Sequence, residues 1–251
     1  MIIDILTLFP EMFKGPFEES IIKKAVNRKL IKINIINIRD FSKDKHKKVD
    51  DYPYGGGAGM LLKPEPVFDA VDAITSKIKD LSKTRIILMT PQGNLLNQKK
   101  VKEISKYEHL IIICGHYEGF DERIRFLVDE EISIGDYITT GGELPAMVLT
   151  DAVVRLIPGV IGGENSLNEE SFENGLLEYP QYTRPEVYRN LKVPDVLLSG
   201  NHEEIKKWRH KESLKRTLIR RPDMLEKLRL SEDDKKYIKK LAIENKLNAS
   251  D

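Results

Sequence analysis

Residues 134–145 have the composition of a loop that could hold a small ligand, with three glycines, two threonines and a tyrosine ahead of Pro145. A strand-like run precedes the loop at residues 131–134, and an apolar helical pattern follows it at residues 144–157. Glycine lets a backbone approach a ligand closely, and Pro145 suits the first turn of a helix. A strand, a glycine-bearing loop and a helix are the layout of many ligand sites in α/β proteins, although a simple tight turn is the alternative interpretation.

Two other glycine-bearing turns, residues 90–93 and 114–119, also follow apparent strands. In open α/β sheets the loops beyond the carboxyl ends of the strands form the ligand site, so these two turns and residues 134–145 are predicted to line one pocket. The chain contains neither G-x-G-x-x-G nor G-K-[ST], which argues against a conventional site for a dinucleotide or a nucleoside triphosphate.

Strand and helix patterns alternate in the first two thirds of the chain. Isoleucine occupies positions 111, 112 and 113, which is typical of a parallel strand buried on both faces. We therefore expect an α/β fold with a largely parallel sheet. The predicted strands cover residues 2–8, 31–38, 85–89, 109–114 and 131–134, and the predicted helices cover residues 18–28, 64–78, 97–105 and 144–157.

The pattern changes after Pro158. Residues 159–175 are rich in Gly, Asn, Ser and Glu, which is typical of a linker. Beyond them, Asn201 is predicted to cap a helix that runs to about Arg221, and Ser231 with Asp234 forms a capping box for a last helix. The predicted organisation is an α/β domain at residues 1–160, a flexible interdomain linker at 161–175 and a small all-helical domain at 176–251.

Composition favours a soluble protein of a reducing cytoplasm. The 251 residues are 40% hydrophobic and 32% charged, and no apolar run approaches the ~18 residues that would span a bilayer. Residues 1–9 lack the layout of a signal peptide. Cys114 is the single cysteine, so the chain can form no internal disulfide, and no Cys/His cluster has zinc-ligand spacing. We expect a cytoplasmic location and no membrane partner.

The net charge of +1 hides a basic block at residues 205–221. A block this one-sided suits the phosphate backbone of a nucleic acid, and a solvated helix face is the alternative. The only acidic residue in the block is Glu212, against eight basic residues: Lys206, Lys207, Arg209, Lys211, Lys215, Arg216, Arg220 and Arg221.

Five motifs occur in one order along nearly the whole chain, at residues 50–60, 115–123, 133–137, 141–147 and 198–202. Together they closely resemble the bacterial tRNA (guanine-N1)-methyltransferases, which modify the guanine just 3′ of the anticodon. The resemblance implies a SPOUT-class homodimer in which the carboxyl-terminal part of the catalytic domain is threaded as a trefoil knot. Spacing and composition could not indicate a knot, because knots are rare exceptions to ordinary connectivity.

The resemblance also implies that the α/β domain binds S-adenosylmethionine in a bent form within the knot, in an active site that draws on both subunits. Adenine recognition needs backbone donors and acceptors, which glycines make accessible. The cofactor-binding residues implied by the motifs are Met89, Thr90, Pro91, Gly115, Tyr117, Ile134, Gly135, Asp136, Tyr137, Ile138, Thr139, Gly141, Gly142 and Pro145.

The implied reaction needs a general base, because N1 of guanine carries a proton at neutral pH and a carboxylate within ~3 Å can remove it. The family's base is an aspartate in an Asp-Ser-Phe setting, and Glu170 stands at that position before Ser171 and Phe172. A displacement of about 1 Å can cost ~10²-fold in rate, so the longer side chain needs a compensating position. Glu169 is the fallback. A solvated loop charge is the alternative for either acid.

Arg155 is implied as the second catalytic residue, which stabilises negative charge on guanine O6. It lies four residues after Asp151 on the predicted helix, so a simple ion pair is its alternative role. Glu118 and Glu178 match acidic positions that are associated with Mg²⁺ binding in the family, and the ion could neutralise the charge on guanine O6.

The implied partner is tRNA with guanine 3′ of the anticodon, and not DNA. The tyrosine- and glycine-rich segment at residues 50–60 could stack against a flipped base and approach it closely. The helical domain would grip the anticodon stem-loop, and the linker would order only on tRNA binding. An inactive RNA-binding protein on the same fold and a SPOUT 2′-O-ribose methyltransferase are the alternative functions. The residues implied to contact tRNA are Asp51, Tyr54, Gly57, Gly59, His202 and Arg209.

Overall fold

A computed structural model of the chain describes residues 1–162 and 169–248. Its contacts divide the chain into two compact units, Met1–Gly162 and Gly163–Asp251. Residues 163–168, in the predicted linker, lie outside the described residues, so the flexibility of the linker stays a prediction.

The first unit is an α/β sandwich around a five-stranded parallel sheet in the order β2-β1-β6-β5-β7. Short 3-10 helices at Pro10–Phe13, Ile38–Phe41, Leu81–Lys83 and Glu122–Leu127 join several of the elements. The strands are β1 Ile2–Thr7, β2 Lys32–Asn37, β3 Asp50–Asp51, β4 Leu61–Leu62, β5 Thr84–Leu95, β6 His109–Cys114 and β7 Glu130–Ser133, with β3 and β4 pairing by themselves as an antiparallel ribbon. The helices are α1 Lys14–Phe17, α2 Ser20–Asn27, α3 Pro64–Thr75, α4 Gln98–Ile104 and α5 Glu143–Val154.

Apolar side chains cover both faces of the sheet, as the isoleucine-rich run predicts. Alternate residues of a strand point to opposite faces, so Ile112 joins the core under α2, α4 and α5, whereas Ile111 and Ile113 join the core under α3. All three are fully buried. The predicted α/β fold with a parallel sheet is therefore confirmed.

Strand β5 is longer than its apolar run predicts. The pattern ends the strand at residue 89, ahead of Pro91, but β5 continues to Leu95. Its register with β7 shifts between Met89 and Asn94, both of which pair with Ile132. A bulge can absorb residues that do not fit the ladder, and proline has no N–H to donate to it. The bulged residues, 90–93, form the first of the predicted ligand turns.

The second unit is mostly helical and contains the predicted capped helices. Asn201 accepts a hydrogen bond from the N–H of Glu204, and Ser231 accepts one from the N–H of Asp234, each at the start of a helix. A short hairpin of exposed residues, which the pattern did not predict, precedes them. The elements are β8 Val187–Tyr188, β9 Leu191–Lys192, α6 Asp195–Leu198, α7 His202–Arg220, α8 Pro222–Leu225 and α9 Glu232–Asn248.

Among the residues that the structure describes, no helix is both long and apolar enough to cross a bilayer. The trefoil knot and the homodimer that the resemblance implies stay predictions.

Candidate functional site

The three glycine-bearing turns are the bulge of β5 and the loops after β6 and β7, and they line one pocket of about 520 Å³. That volume lies within the ~300–1,000 Å³ typical of small-ligand sites. Every residue implied to bind the cofactor lines this pocket except Asp136, which is exposed on the loop after β7. The prediction that the three turns line one pocket is therefore confirmed.

The backbone approaches very closely at one wall of the pocket. The N–H of Gly142 donates to the carbonyl of Gly115 at 2.7 Å, which ties the loop before α5 to the turn after β6. A Cβ on Gly142 would lie 2.7 Å from Cα of Cys114 and 2.8 Å from N of Gly115. No side chain fits at this position, so the pocket wall here is bare backbone.

The pocket also contains residues that the sequence reasoning missed. Arg125 lines the pocket, and it donates to Gln92 Oε1 at 2.6 Å and to Glu122 Oε2 at 2.9 Å. It also pairs with Glu131, and its guanidinium lies 5.2 Å from the ring centroid of Phe120. Arg125 lies two residues after the motif at residues 115–123, and this adjacency was the available signal.

A buried carboxylate lies behind the pocket. Glu143, the first residue of α5, is only 1% exposed, and its Oε1 accepts a 2.8 Å hydrogen bond from the hydroxyl of Thr7 at the end of β1. Its Oε2 lies 3.7 Å from Nδ1 of His116, a pocket residue. Burial, with Glu143 as a second cause, raises the pKa of the Cys114 thiol, so Cys114 is a neutral apolar side chain here.

We expect Thr7→Val to destabilise the protein by about 1–3 kcal/mol, because it leaves Glu143 with an unpaired buried oxygen and removes the acceptor of the Phe9 N–H. Thr150→Val is the matched control. Thr150 is fully buried on α5, and its hydroxyl makes no hydrogen bond within the described residues, so the isosteric change should be nearly neutral. Urea denaturation measures both. Equal losses of stability in the two variants would contradict the role of the Thr7 bond.

The implied tRNA-contacting segment lies partly against the same pocket. The N–H of Glu118 donates to the carbonyl of Met60 at 3.2 Å, and a Cβ on Gly59 would lie 2.2 Å from Cγ of Glu118. Asp51, Tyr54 and Gly57 are exposed on the same segment. The structure therefore brings Gly59 next to a pocket residue and leaves the other three facing solvent.

Arg155 is the residue directly after α5 and is half-buried, and its N–H donates to the carbonyl of Asp151 at 3.2 Å. It does not line the pocket. Glu118 does line the pocket, whereas Glu178, the other residue implied to bind metal, belongs to the second unit. Within the described ranges, no group of three or more His, Cys, Asp or Glu side chains is arranged to hold a metal ion.

Glu170, the residue implied to be the general base, belongs to the second unit and lies in a turn closed by two main-chain hydrogen bonds. The N–H of Glu173 donates to the carbonyl of Glu170, and the N–H of Phe172 donates to the carbonyl of Leu176 at 2.9 Å. Glu170 is half-buried there, with Glu169 exposed beside it.

Most of the basic block is exposed on α7, but Arg209 and Arg216 are half-buried. Arg216 donates to the carbonyl of Glu178 at 3.2 Å. His202 is exposed at the start of α7, and Trp208 lies 6.4 Å from Tyr182 between ring centroids.

A parallel sheet with a bare-backbone pocket at the carboxyl ends of its strands defines a ligand-binding α/β protein. The chain belongs to the tRNA (Guanine-1)-methyltransferase TrmD family, whose model matches residues 1–227. A protein from Dehalococcoides mccartyi named tRNA (guanine-N(1)-)-methyltransferase is 60% identical over 245 residues, 97% of this chain and 98% of its own length. Proteins of the same name from Dictyoglomus turgidum and Bacillus cereus are 56% and 57% identical, over 95% and 96% of this chain and 96% and 98% of their own lengths.

Proposed function

We propose that this chain is a tRNA (guanine-N1)-methyltransferase that uses S-adenosylmethionine and acts on the guanine 3′ of the anticodon. The observation that carries the proposal is the pocket formed by three glycine-bearing turns in a chain of this family. The family model matches residues 1–227, which comprise the whole first unit and the second unit as far as the end of α8.

The pocket fits the cofactor in two respects. Its lining offers the apolar side chains of Met89, Ile134 and Pro145 for an adenine ring. The bare backbone at Gly142 leaves room for close approach of a bound molecule. When bound, S-adenosylmethionine supplies an electrophilic methyl group on a sulfonium.

In the proposed reaction, the carboxylate of Glu170 would accept the proton of guanine N1 as that nitrogen takes up the methyl group that the cofactor would supply. Charge that develops on guanine O6 is stabilised by the guanidinium of Arg155. Glu118 and Glu178 are the carboxylates that would hold Mg²⁺, which would supply positive charge to the reaction.

The functional unit in this proposal is a homodimer, since the active site draws on two subunits. An apolar surface on the first unit supports it. Leu144 and Val148 lie one helical turn apart on α5 and are 50% and 48% exposed, and Ile138 on the preceding loop is 80% exposed.

We expect Val148→Glu to convert dimer into monomer and to lower methyl transfer roughly tenfold or more, because a two-fold interface would bury the new charge twice. Sedimentation velocity measures the first effect. Val26→Glu is the matched control, since Val26 is 37% exposed on α2. A native chain that is monomeric at micromolar concentration, or a Val148→Glu variant that stays dimeric, would contradict this surface as the interface.

The function itself is tested by methyl transfer from labelled S-adenosylmethionine to an unmodified tRNA transcript, with digestion to nucleosides to identify the product. We expect N1-methylguanosine, and no product from a transcript with adenine in place of that guanine. A 2′-O-methylated product would support the ribose methyltransferase alternative. Binding of both cofactor and tRNA without transfer would support the inactive RNA-binding alternative.

A further inference from the structure

The segment of residues 169–182, which contains Glu170, is held to α7 through main-chain groups at residues 177 and 178. The N–H of Leu177 donates to the hydroxyl of Thr217 at 2.8 Å. The carbonyl of Glu178 accepts from Arg216, and the N–H of Glu178 donates to the hydroxyl of Ser171 at 3.0 Å. This end of the segment is therefore held independently of the side chain of any acid.

At the other end of the segment, the side chain of Glu169 contacts Tyr179 and α7. The hydroxyl of Tyr179 donates to Oε2 of Glu169 at 2.5 Å, directly beside Glu170. Nη1 of Arg209 lies 3.5 Å from the same oxygen, and its guanidinium stacks over the ring of Tyr179 at 4.7 Å from the centroid. Tyr179 of the segment and Arg209 of α7 thus converge on one carboxylate oxygen of Glu169.

We propose that Glu169, Tyr179 and Arg209, here called the latch, are positioning residues that hold the main chain of Glu170 in place for catalysis. The inference rests on the proposed function, in which Glu170 is the base. Glutamate has one more rotatable bond than the aspartate of the family pattern, so its carboxylate loses more conformational freedom when it is ordered. A fixed main chain at residue 169 offsets part of that loss.

The tyrosine bond is the principal part of the latch. The side chains of Glu169 and Arg209 are 58% and 41% exposed, and an ion pair that exposed contributes little by itself. Burial, followed by the hydrogen bond to Glu169, raises the pKa of Tyr179 to about 12, so its hydroxyl stays a donor well above neutral pH. Arg209 then acts through Tyr179 and Glu169, whereas the sequence resemblance implied that it contacts tRNA.

Tyr179→Phe tests the latch because it removes the hydroxyl and leaves the ring under Arg209. We expect kcat for tRNA methylation to fall about fivefold to tenfold, with KM for tRNA and for S-adenosylmethionine unchanged. Glu169→Ala should give the same loss, and the double variant should be no slower than either single one. Glu169→Gln, which keeps an acceptor oxygen for the tyrosine, should recover most of the activity.

Tyr182→Phe is the matched control, since Tyr182 lies in the same segment and its hydroxyl makes no hydrogen bond with the described residues. It should keep native kinetics. Losses that multiply in the double variant, an unchanged kcat in Tyr179→Phe, or a change in KM for tRNA alone would overturn the latch. A loss in Glu169→Ala of 100-fold or more, not recovered by Glu169→Gln, would overturn it in favour of Glu169 as the base.

Hydrogen exchange of the native protein and Tyr179→Phe supplies a second readout that does not depend on activity. The amides of Phe172 and Glu173, which close the turn around Glu170, should exchange faster in the variant, while the amide of Leu177 should be unchanged. A native protein that transfers no methyl group would contradict the proposed function while this readout still tests the latch. Unchanged exchange at residues 172 and 173 would overturn the latch whatever the activity.

Discussion

Glu170→Ala should lower the rate of methyl transfer about 10²- to 10⁴-fold, the usual contribution of a positioned general base. Affinity for S-adenosylmethionine should not change, because Glu170 belongs to the second unit and the pocket is built within the first. Single-turnover transfer to a tRNA transcript, beside calorimetric titration with the cofactor, measures the two quantities. Glu170→Asp restores the residue of the family pattern and should stay within about tenfold of the native rate.

Glu186→Ala is the matched control for the removal of an acid, because Glu186 is exposed in the same unit. It should be indistinguishable from the native protein. If Glu170→Ala retained near-native transfer, Glu170 would not be the base, and Glu169 would become the next acid to test. The same result would also remove the basis of the latch, whereas the assignment of the enzyme to guanine N1 would stand.

Gly142→Ala should weaken binding of S-adenosylmethionine about 10- to 100-fold. The new Cβ would meet the backbone of Cys114 and Gly115 at under 3 Å, and backbone cannot move aside as a flexible side chain can. Separating the two loops would break the 2.7 Å hydrogen bond from Gly142 to Gly115. Overpacking of this kind costs about 1–3 kcal/mol, most of it at the pocket wall. Calorimetric titration with the cofactor gives the affinity directly.

Gly15→Ala is the control for this change, since a Cβ on Gly15 would meet nothing within 4 Å. It should bind the cofactor as the native protein does. Native affinity in Gly142→Ala would mean that the cofactor does not lie against this wall, and the pocket would then lose its proposed ligand. Thermal unfolding of both variants separates a local effect on the pocket from a general loss of stability.

Local signals predicted the regular elements well. The bounds of β6 are those of its apolar run, and Asn201 and Ser231 cap the helices that they were predicted to cap. These signals depend on neighbours within four residues, where hydrogen-bonding and side-chain period act directly. The extension of β5 past Pro91 depends instead on its pairing with β7, nearly forty residues further along the chain.

The pocket could be predicted as a meeting of three turns, because parallel strands place their carboxyl ends at one edge of a sheet. The buried acid behind the pocket could not be predicted in this way. Glu143 begins an otherwise apolar helix, which is a visible anomaly, but its partner Thr7 is 136 residues away in the chain. Only the fold decides that such a pair meets and that the carboxylate is buried.

The sequence by itself determined the class of fold, the order of the elements, the ligand turns and, through its motifs, the family. Each of these depends on residue type and short spacing. Tertiary structure decided which groups meet across long separations: Glu143 with Thr7 behind the pocket, Gly59 with Glu118 at its edge, and Arg209 with Glu169 beside the proposed base. Such contacts arise from packing of whole elements, and short-range pattern carries no information about which distant side chains that packing brings together.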